Sequence, residues 1–424
     1  MLLKDYTREN LILLEKKLSS EYEDFKKMGL KLDISRGKPG SDQLAVSNGL
    51  LDAITSADWE QQHLHLLDYR NYGILMGIKE CRQMFAELFD VPPEQVIVCG
   101  NSSLNMMFDY ITQCMLTGAG DGPWFGKKIK FLCPVPGYDR HFAICRYYGI
   151  EMVNIPIGED GPNMDMIEEY VKDESVKGMF CVPKYSNPTG VTFSEEVVKR
   201  IAALKPAAKD FRIIWDNAYI IHDFDDDGDE LYNIFDALKL FGNEDMVIEF
   251  TSTSKISFPG AGVAALAASP RNIEMIRSRM TVQTIGYDKL NQYRHVKFYH
   301  NANGLKKHMI LHRAILAPKF KAVTNKLEEK LGGYGVATWS APKGGYFINF
   351  NVMPGTAKEI GRLCKEAGVV LTEVGATFPY GIDPDDSNIR IAPSYPPVDE
   401  LMNATRLLCL CTLLAAVRKL LNEE

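Results

Sequence analysis

Across residues 95–268 the chain alternates short apolar runs with segments of helical spacing, and this restricts the fold more than any other feature. The runs occupy residues 95–99, 129–133, 151–155, 178–182, 212–215, 246–250 and 263–268. Helical patterns follow Asn101 and Pro136 and recur near residues 165–171. Runs that are apolar at nearly every position predict strands buried on both faces. Strands of that kind separated by helices predict an α/β fold with a mostly parallel sheet. Two longer helical patterns come next, about 287–300 and 305–331. Strands at 346–350, 369–371 and 389–391, mixed with helices, then suggest a smaller α+β unit. Upstream, residues 1–28 read as a charged helix, 36–40 as a Gly/Pro loop, and 77–89 as a helix stopping before Val91-Pro92-Pro93.

Between the last two apolar runs lies Thr251-Ser252-Thr253-Ser254-Lys255-Ile256-Ser257-Phe258-Pro259-Gly260-Ala261-Gly262. A lysine held between buried strands costs free energy unless it has a partner or a task. Burial lowers an amine's pKa and frees the nucleophile, which suits Schiff-base chemistry. Asp216, in Ile213-Ile214-Trp215-Asp216-Asn217-Ala218-Tyr219, ends another apolar run, where parallel sheets present ligand-binding groups. Cys99-Gly100-Asn101-Ser102-Ser103-Leu104 closes a strand and opens a helix, so free N–H groups and hydroxyls together form an anion site. Asn101 or Ser102 caps that helix. Arg390, in Asn388-Ile389-Arg390-Ile391-Ala392, offers the bidentate guanidinium that a carboxylate needs. Taken singly, each has an ordinary reading as an exposed lysine, a helix cap or a surface arginine.

Their order is less ordinary. With Ser35-Arg36-Gly37-Lys38-Pro39, Pro136-Gly137-Tyr138-Asp139-Arg140-His141 and Tyr185-Ser186-Asn187-Pro188-Thr189-Gly190, they resemble the fold-type I pyridoxal-phosphate aminotransferases. The resemblance covers nearly the whole chain and is strongest to the bacterial type Ic aspartate aminotransferases. It implies a large cofactor-binding domain of residues 51–304 and a small α+β domain built from both chain ends, 1–50 and 305–424. It also implies pyridoxal 5'-phosphate bound to Lys255 as an aldimine, with Lys255 moving a proton between Cα and C4′. Asp216 would hold the pyridinium nitrogen, Asn187 and Tyr219 the phenolate oxygen, and Tyr138 the ring face; a core aromatic is the other reading of Tyr138. Ser102, Ser103, Ser252 and Ser254 would contact the phosphate and the lysine side. Tyr72 would reach the phosphate of a neighbouring subunit in a homodimer.

For substrate, the resemblance assigns the α-carboxylate to Arg390, with the Gly37 backbone and Asn187 alongside. The implied reaction moves an amino group from an amino acid, aspartate by resemblance, to 2-oxoglutarate. A lyase or an aminotransferase for another amino acid on the same scaffold is the alternative, and a cofactor-binding regulatory domain ranks below it. Arg294, in Tyr287-Asp288-Lys289-Leu290-Asn291-Gln292-Tyr293-Arg294-His295, sits where the family brings a side-chain-binding arginine. Helical spacing puts Asn291 and Arg294 on one face. A solvated helix face is the competing reading, with Arg36 and Arg140 as rivals for a distal carboxylate. The chain departs from the family at Gly262, where an arginine usually meets the phosphate; Arg36, Lys38 and Arg140 are open as its substitute.

Composition narrows the rest. A chain of 424 residues with 46% hydrophobic content can bury a large core, and a net charge of −7 argues against nucleic acid or an anionic membrane as partner. The longest apolar run, 407–417, is too short to span a bilayer and predicts a buried helix. Nine cysteines without a C-x-x-C pair predict reduced thiols and a cytoplasmic protein. Asp223 to Gly228 begins like a calcium loop, but Ile234 stands where the twelfth-position glutamate belongs, so a solvated turn is expected and no metal. Gly260-Ala261-Gly262 precedes a strand rather than a helix, which excludes a dinucleotide fingerprint.

Overall fold

The computed structural model describes residues 2–60 and 68–423. Its centre is a seven-stranded sheet: β1 (Val96–Val98), β2 (Lys130–Val135), β3 (Glu151–Pro156), β4 (Val176–Cys181), β5 (Arg212–Asp216), β6 (Val247–Ser252) and β7 (Ala264–Ala268). Their spatial order is β1-β7-β6-β5-β4-β2-β3. All neighbours are parallel except at β7, which runs antiparallel to both β1 and β6. The α/β class and mostly parallel sheet expected from the sequence are therefore what the chain forms. The reversal at β7 has a plain cause. Parallel neighbours need a long crossover, whereas the chain returns from β6 through a single 3-10 turn, Thr253–Lys255, and the Pro259-Gly260 bend.

Strand side chains alternate between two cores, one on each face of the sheet. Ile213 and Trp215 pack into one with Leu132, while Ile214 packs into the other with Phe131 and Cys133. A separate core is built by the helices Arg8–Lys27, Ala357–Glu366 and Val398–Glu423. It also includes an antiparallel sheet of Ala337–Trp339, Ile348–Val352 and Asn388–Ile391. The 30-residue helix Ala302–Leu331 joins the two regions. Leu305 and Met309 at its start belong to the sheet's core, and Phe320, Val323 and Leu327 further on belong to the other. The apolar run ending at Val417 is buried within the last helix, as its composition predicts. Among the described residues no helix is long and apolar enough to cross a membrane. The nine cysteines are all unpaired and buried.

Candidate active site

A cavity of about 530 Å³ opens where the C-terminal ends of the parallel strands meet the second region. Lys255 ends the turn that leaves β6. Thr253 shapes that turn: its carbonyl accepts from Ile256 N (2.9 Å) and its Oγ1 from Val263 N (2.9 Å). The Lys255 amine faces the cavity 5.1 Å from the Tyr219 ring and 5.7 Å from the Tyr346 ring. Enclosure by protein lowers its pKa; Asp216 partly opposes this and Arg390 adds to it.

Asp216 closes β5 and is 3% exposed. Its Oδ2 lies 3.0 Å from His141 Nε2, and the His141 ring stacks on Phe180 at 4.5 Å. Among the described residues its Oδ1 has no hydrogen-bond partner. A buried carboxylate oxygen left without a donor is rare and costly. A protonated ring nitrogen entering the cavity would supply that donor, so the residues present fit pyridoxal phosphate.

The anion end fits as well. Ser102 caps the helix Ser103–Thr117 by accepting from Asn105 N at 3.4 Å, which decides between the two candidate caps. Ser254 Oγ donates to Asn101 O (2.9 Å) and Ser252 Oγ to Ser254 Oγ (3.0 Å), so the β6 turn and the helix start form one cradle of hydroxyls and N–H groups. Gly262 stands close behind. A β-carbon there would lie 3.1 Å from both Phe258 O and Thr253 Oγ1 and 3.2 Å from Ser254 N, so an arginine at this position would crowd the turn. The cations lining the cavity in its place are Arg36, Lys38 and Arg140, besides Arg390 and Lys255. Lys38 is occupied over the Tyr395 ring at 3.8 Å.

Arg390 projects from the strand Asn388–Ile391 into the same cavity. Its Nη1 donates to Asn187 Oδ1 (3.2 Å) and Asp139 Oδ1 (3.0 Å), its Nε to Thr372 Oγ1 (3.4 Å), and its plane lies 4.7 Å from the Phe347 ring. Gly37 is glycine because Phe347 is there: a β-carbon would come within 2.4 Å of that ring. Tyr138 and Tyr219 complete the wall. Burial pushes Tyr138 up to about 12 and Tyr219 well above its ordinary range, so both keep their protons.

Eleven of the thirteen residues singled out from the sequence thus line one cavity. Tyr72 and Arg294 do not. Tyr72 is 83% exposed, away from the cavity. Arg294 Nη2 donates to Asn291 Oδ1 (2.5 Å), on the helix face that the spacing predicts, and Asn291 Nδ2 donates to Gly262 O (2.8 Å). That face braces the Lys255 turn from behind. Sequence reasoning missed His141, Asp139 and Phe347. For His141 a signal existed, because it stands three residues after Tyr138 at the start of a helix and so shares its face.

Comparison with known proteins agrees with this geometry. A sequence model of the family described as aspartate amino-transferase matches residues 6–424. The chain is similar to the aspartate aminotransferase of Corynebacterium glutamicum, 43% identical over 423 residues that cover 99% of this chain and 98% of that one. The crystal structure of an aspartate transaminase from that organism superposes with a TM-score of 0.95 at 43% identity, over 99% of both chains. The fold is also that of an alpha-aminoadipate aminotransferase of Thermus thermophilus complexed with N-(5'-phosphopyridoxyl)-L-leucine. There the TM-score is 0.75 and the identity 21%, over 93% of this chain and 94% of that one. The chain belongs to the aspartate aminotransferase family, has the fold-type I architecture, and is an aminotransferase enzyme.

Proposed function

We propose that the protein moves an amino group from aspartate to 2-oxoglutarate, with pyridoxal 5'-phosphate held covalently by Lys255. The observation that carries this reading is the buried Asp216 Oδ1, left without a donor among the described residues, beside the cavity that also holds Lys255 and Arg390. The name of the Corynebacterium relative supports aspartate as donor, and the phosphopyridoxyl group in the Thermus structure supports the cofactor.

When bound, the cofactor supplies an electron sink for the pair released as the substrate Cα–H bond breaks. The chain does the rest. Asp216 accepts the ring N–H at Oδ1 while His141 holds Oδ2, which fixes the carboxylate plane. Ser102, Ser103, Ser252 and Ser254 bind the phosphate with the helix N-terminus behind them. Tyr219 donates its phenolic proton toward the ring oxygen, with the Asn187 amide beside it, and Tyr138 covers the ring face. Arg390, steered by Asn187 and Phe347, takes the α-carboxylate across the Gly37 backbone. Lys255, whose amine is more readily deprotonated than in water, would accept the proton released from the substrate Cα. A dicarboxylate substrate needs a further cation. Arg36 and Arg140 offer one from within the cavity, whereas Arg294 is held outside it by Asn291.

The same reading includes a large domain of residues 51–304, a small domain of 1–50 and 305–424, and a homodimer in which Tyr72 completes the partner's phosphate site. A cytoplasmic location accords with nine buried free thiols. Borohydride reduction of the purified yellow protein, followed by peptide mass mapping, tests the central point. The pyridoxyl group is expected on Lys255; a label on any other lysine, or none after incubation with the cofactor, overturns the assignment.

A further inference from the structure

A second cavity, of about 480 Å³, lies on the other face of the sheet, behind Asp216. Trp215 and Asn217 flank Asp216 in sequence and therefore point away from the first cavity. Glu249 on β6 pairs in register with Trp215 and lines the second cavity with both. All three are nine-tenths or more buried, and none is fully bonded. Among the described residues Trp215 Nε1 has no acceptor. Asn217 Nδ2 donates to Glu249 Oε1 (2.7 Å), but Asn217 Oδ1 has no donor among the described residues. The other Glu249 oxygen makes no hydrogen bond among the described residues. One cluster thus presents two acceptors and one donor without partners.

The mouth of this cavity is acidic. Asp223, Asp225, Asp226, Asp229 and Glu230 surround it, and Lys184 is its one cationic lining residue among those described. Lys184 is already paired with Asp223 at 2.8 Å, as Asp226 is with Arg313 at 2.7 Å. Asp225 and Glu230 have no cationic partner among the described residues, and the field they leave draws cations inward. A metal ion does not suit the floor, since no group of three candidate ligands comes together among the described residues. Apolar side chains, Leu88, Phe89 and Leu231 among them, form the rest of the wall. The acidic run that begins like a calcium loop forms the rim of this cavity.

We propose that this cavity binds a small amino alcohol, its ammonium N–H on Glu249 and its hydroxyl accepting from Trp215 Nε1 while donating to Asn217 Oδ1. An ammonium only donates and an indole N–H only donates, so a ligand that satisfies all three groups must carry both a cationic N–H and an oxygen acceptor. No residue of this cluster lines the first cavity.

The test is calorimetric titration of the holoenzyme at pH 9, where the Glu249 carboxyl is ionised, with N,N-dimethylethanolamine, a tertiary amine that cannot condense with the cofactor aldehyde. Binding to the natural chain is expected, with at least tenfold weakening in Glu249→Gln. That substitution keeps the shape of the side chain and the contact with Asn217, and unchanged borohydride labelling of Lys255 serves as its folding control. N,N-dimethylethylamine, which lacks the hydroxyl, is expected to bind several-fold more weakly, and Trp215→Phe to narrow that difference. The rim variant Asp225→Asn with Glu230→Gln, on exposed side chains, should weaken binding and flatten its salt dependence. No binding by the natural chain overturns the proposal, as does equal affinity in Glu249→Gln. So does heat from magnesium or calcium chloride with none from the amine. Each of these outcomes leaves the Lys255 assignment untouched.

Discussion

His141 Nε2 stands 3.0 Å from Asp216 Oδ2 in the interior, and no donor among the described residues reaches Asp216 Oδ1. The histidine fixes one edge of the carboxylate and leaves the other for a ligand. Asp216→Ala should therefore bind the cofactor more weakly and lose transamination by on the order of 10²-fold or more, as removal of a positioned electrostatic group does. Cofactor titration by fluorescence and turnover at saturating cofactor check this. Near-natural turnover in the variant would mean that another carboxylate serves the ring.

The Lys255 amine is lowered by enclosure, raised by Asp216 and lowered by Arg390. Removing either neighbour should move it in opposite directions. Arg390→Met lets it rise and Asp216→Asn lets it fall further, both read from the pH dependence of Lys255 acylation in cofactor-free protein. Shifts of the same sign in the two variants would refute the electrostatic account.

Glu249 gives a stability prediction. Burial pushes its carboxyl from 4.5 to about 8, so the folded chain keeps a proton that the unfolded chain releases between those values. Its contribution to stability is present below pH 4.5 and is lost as pH rises toward 8. Glu249→Gln should then match the natural protein at pH 4 and exceed it at pH 9 by about 3–5 kcal/mol. Denaturant melts in phosphate and borate, free of amine buffers, measure the difference. Equal stability at both pH values would show that water already solvates the carboxylate.

Tyr72 is 83% exposed and, unlike the other proposed phosphate contacts, does not line the cavity, as fits a residue that serves a second subunit. Lys255→Ala and Tyr72→Phe chains, each inactive or strongly impaired alone, should recover activity when mixed and reassembled. A monomer by light scattering, or no recovery, removes the shared site.

Donor choice separates the three arginines. The pair Arg36→Ala and Arg140→Ala should raise the aspartate KM tenfold or more, the loss of a contact worth about 2–5 kcal/mol, and leave alanine nearly unchanged. Arg294→Ala, which loosens the brace on the Lys255 turn, should affect both donors alike. A selective aspartate defect in Arg294→Ala would instead place its guanidinium on the distal carboxylate.

Much of this was legible in the sequence because it is local. Continuous apolar runs announce buried strands, and the residues that end them, Asp216 and Lys255, stand where strand ends gather. Ser102 and Ser103 follow the same rule at a helix start. What remained hidden depends on contacts between distant segments. The run 263–268 is apolar in either direction, so its antiparallel course follows only from the short return out of β6. The fit of Gly37 to Phe347 and the pairing of Arg390 with Asp139 join residues hundreds of positions apart, with no periodicity to signal them. Arg294 shows the converse. Its helical face was read correctly from spacing, but spacing does not say what lies opposite.

The helix Arg8–Lys27 packs against Val398–Glu423, with Arg8 Nη1 donating to Leu421 O at 3.2 Å and Arg418 Nε to Glu15 Oε1 at 3.1 Å. This sets a timetable for synthesis. All strands of the central sheet lie within residues 96–268, so they can assemble while the ribosome is still adding the remainder. The first helix leaves the ribosome long before them, yet the core that seats Leu11, Leu18 and Tyr22 is complete only once the last helix arrives. Until then that stripe is a natural target for chaperones. A ribosome that stalls before residue 398 would release a chain with a finished sheet and an exposed leading helix, ready for proteolysis.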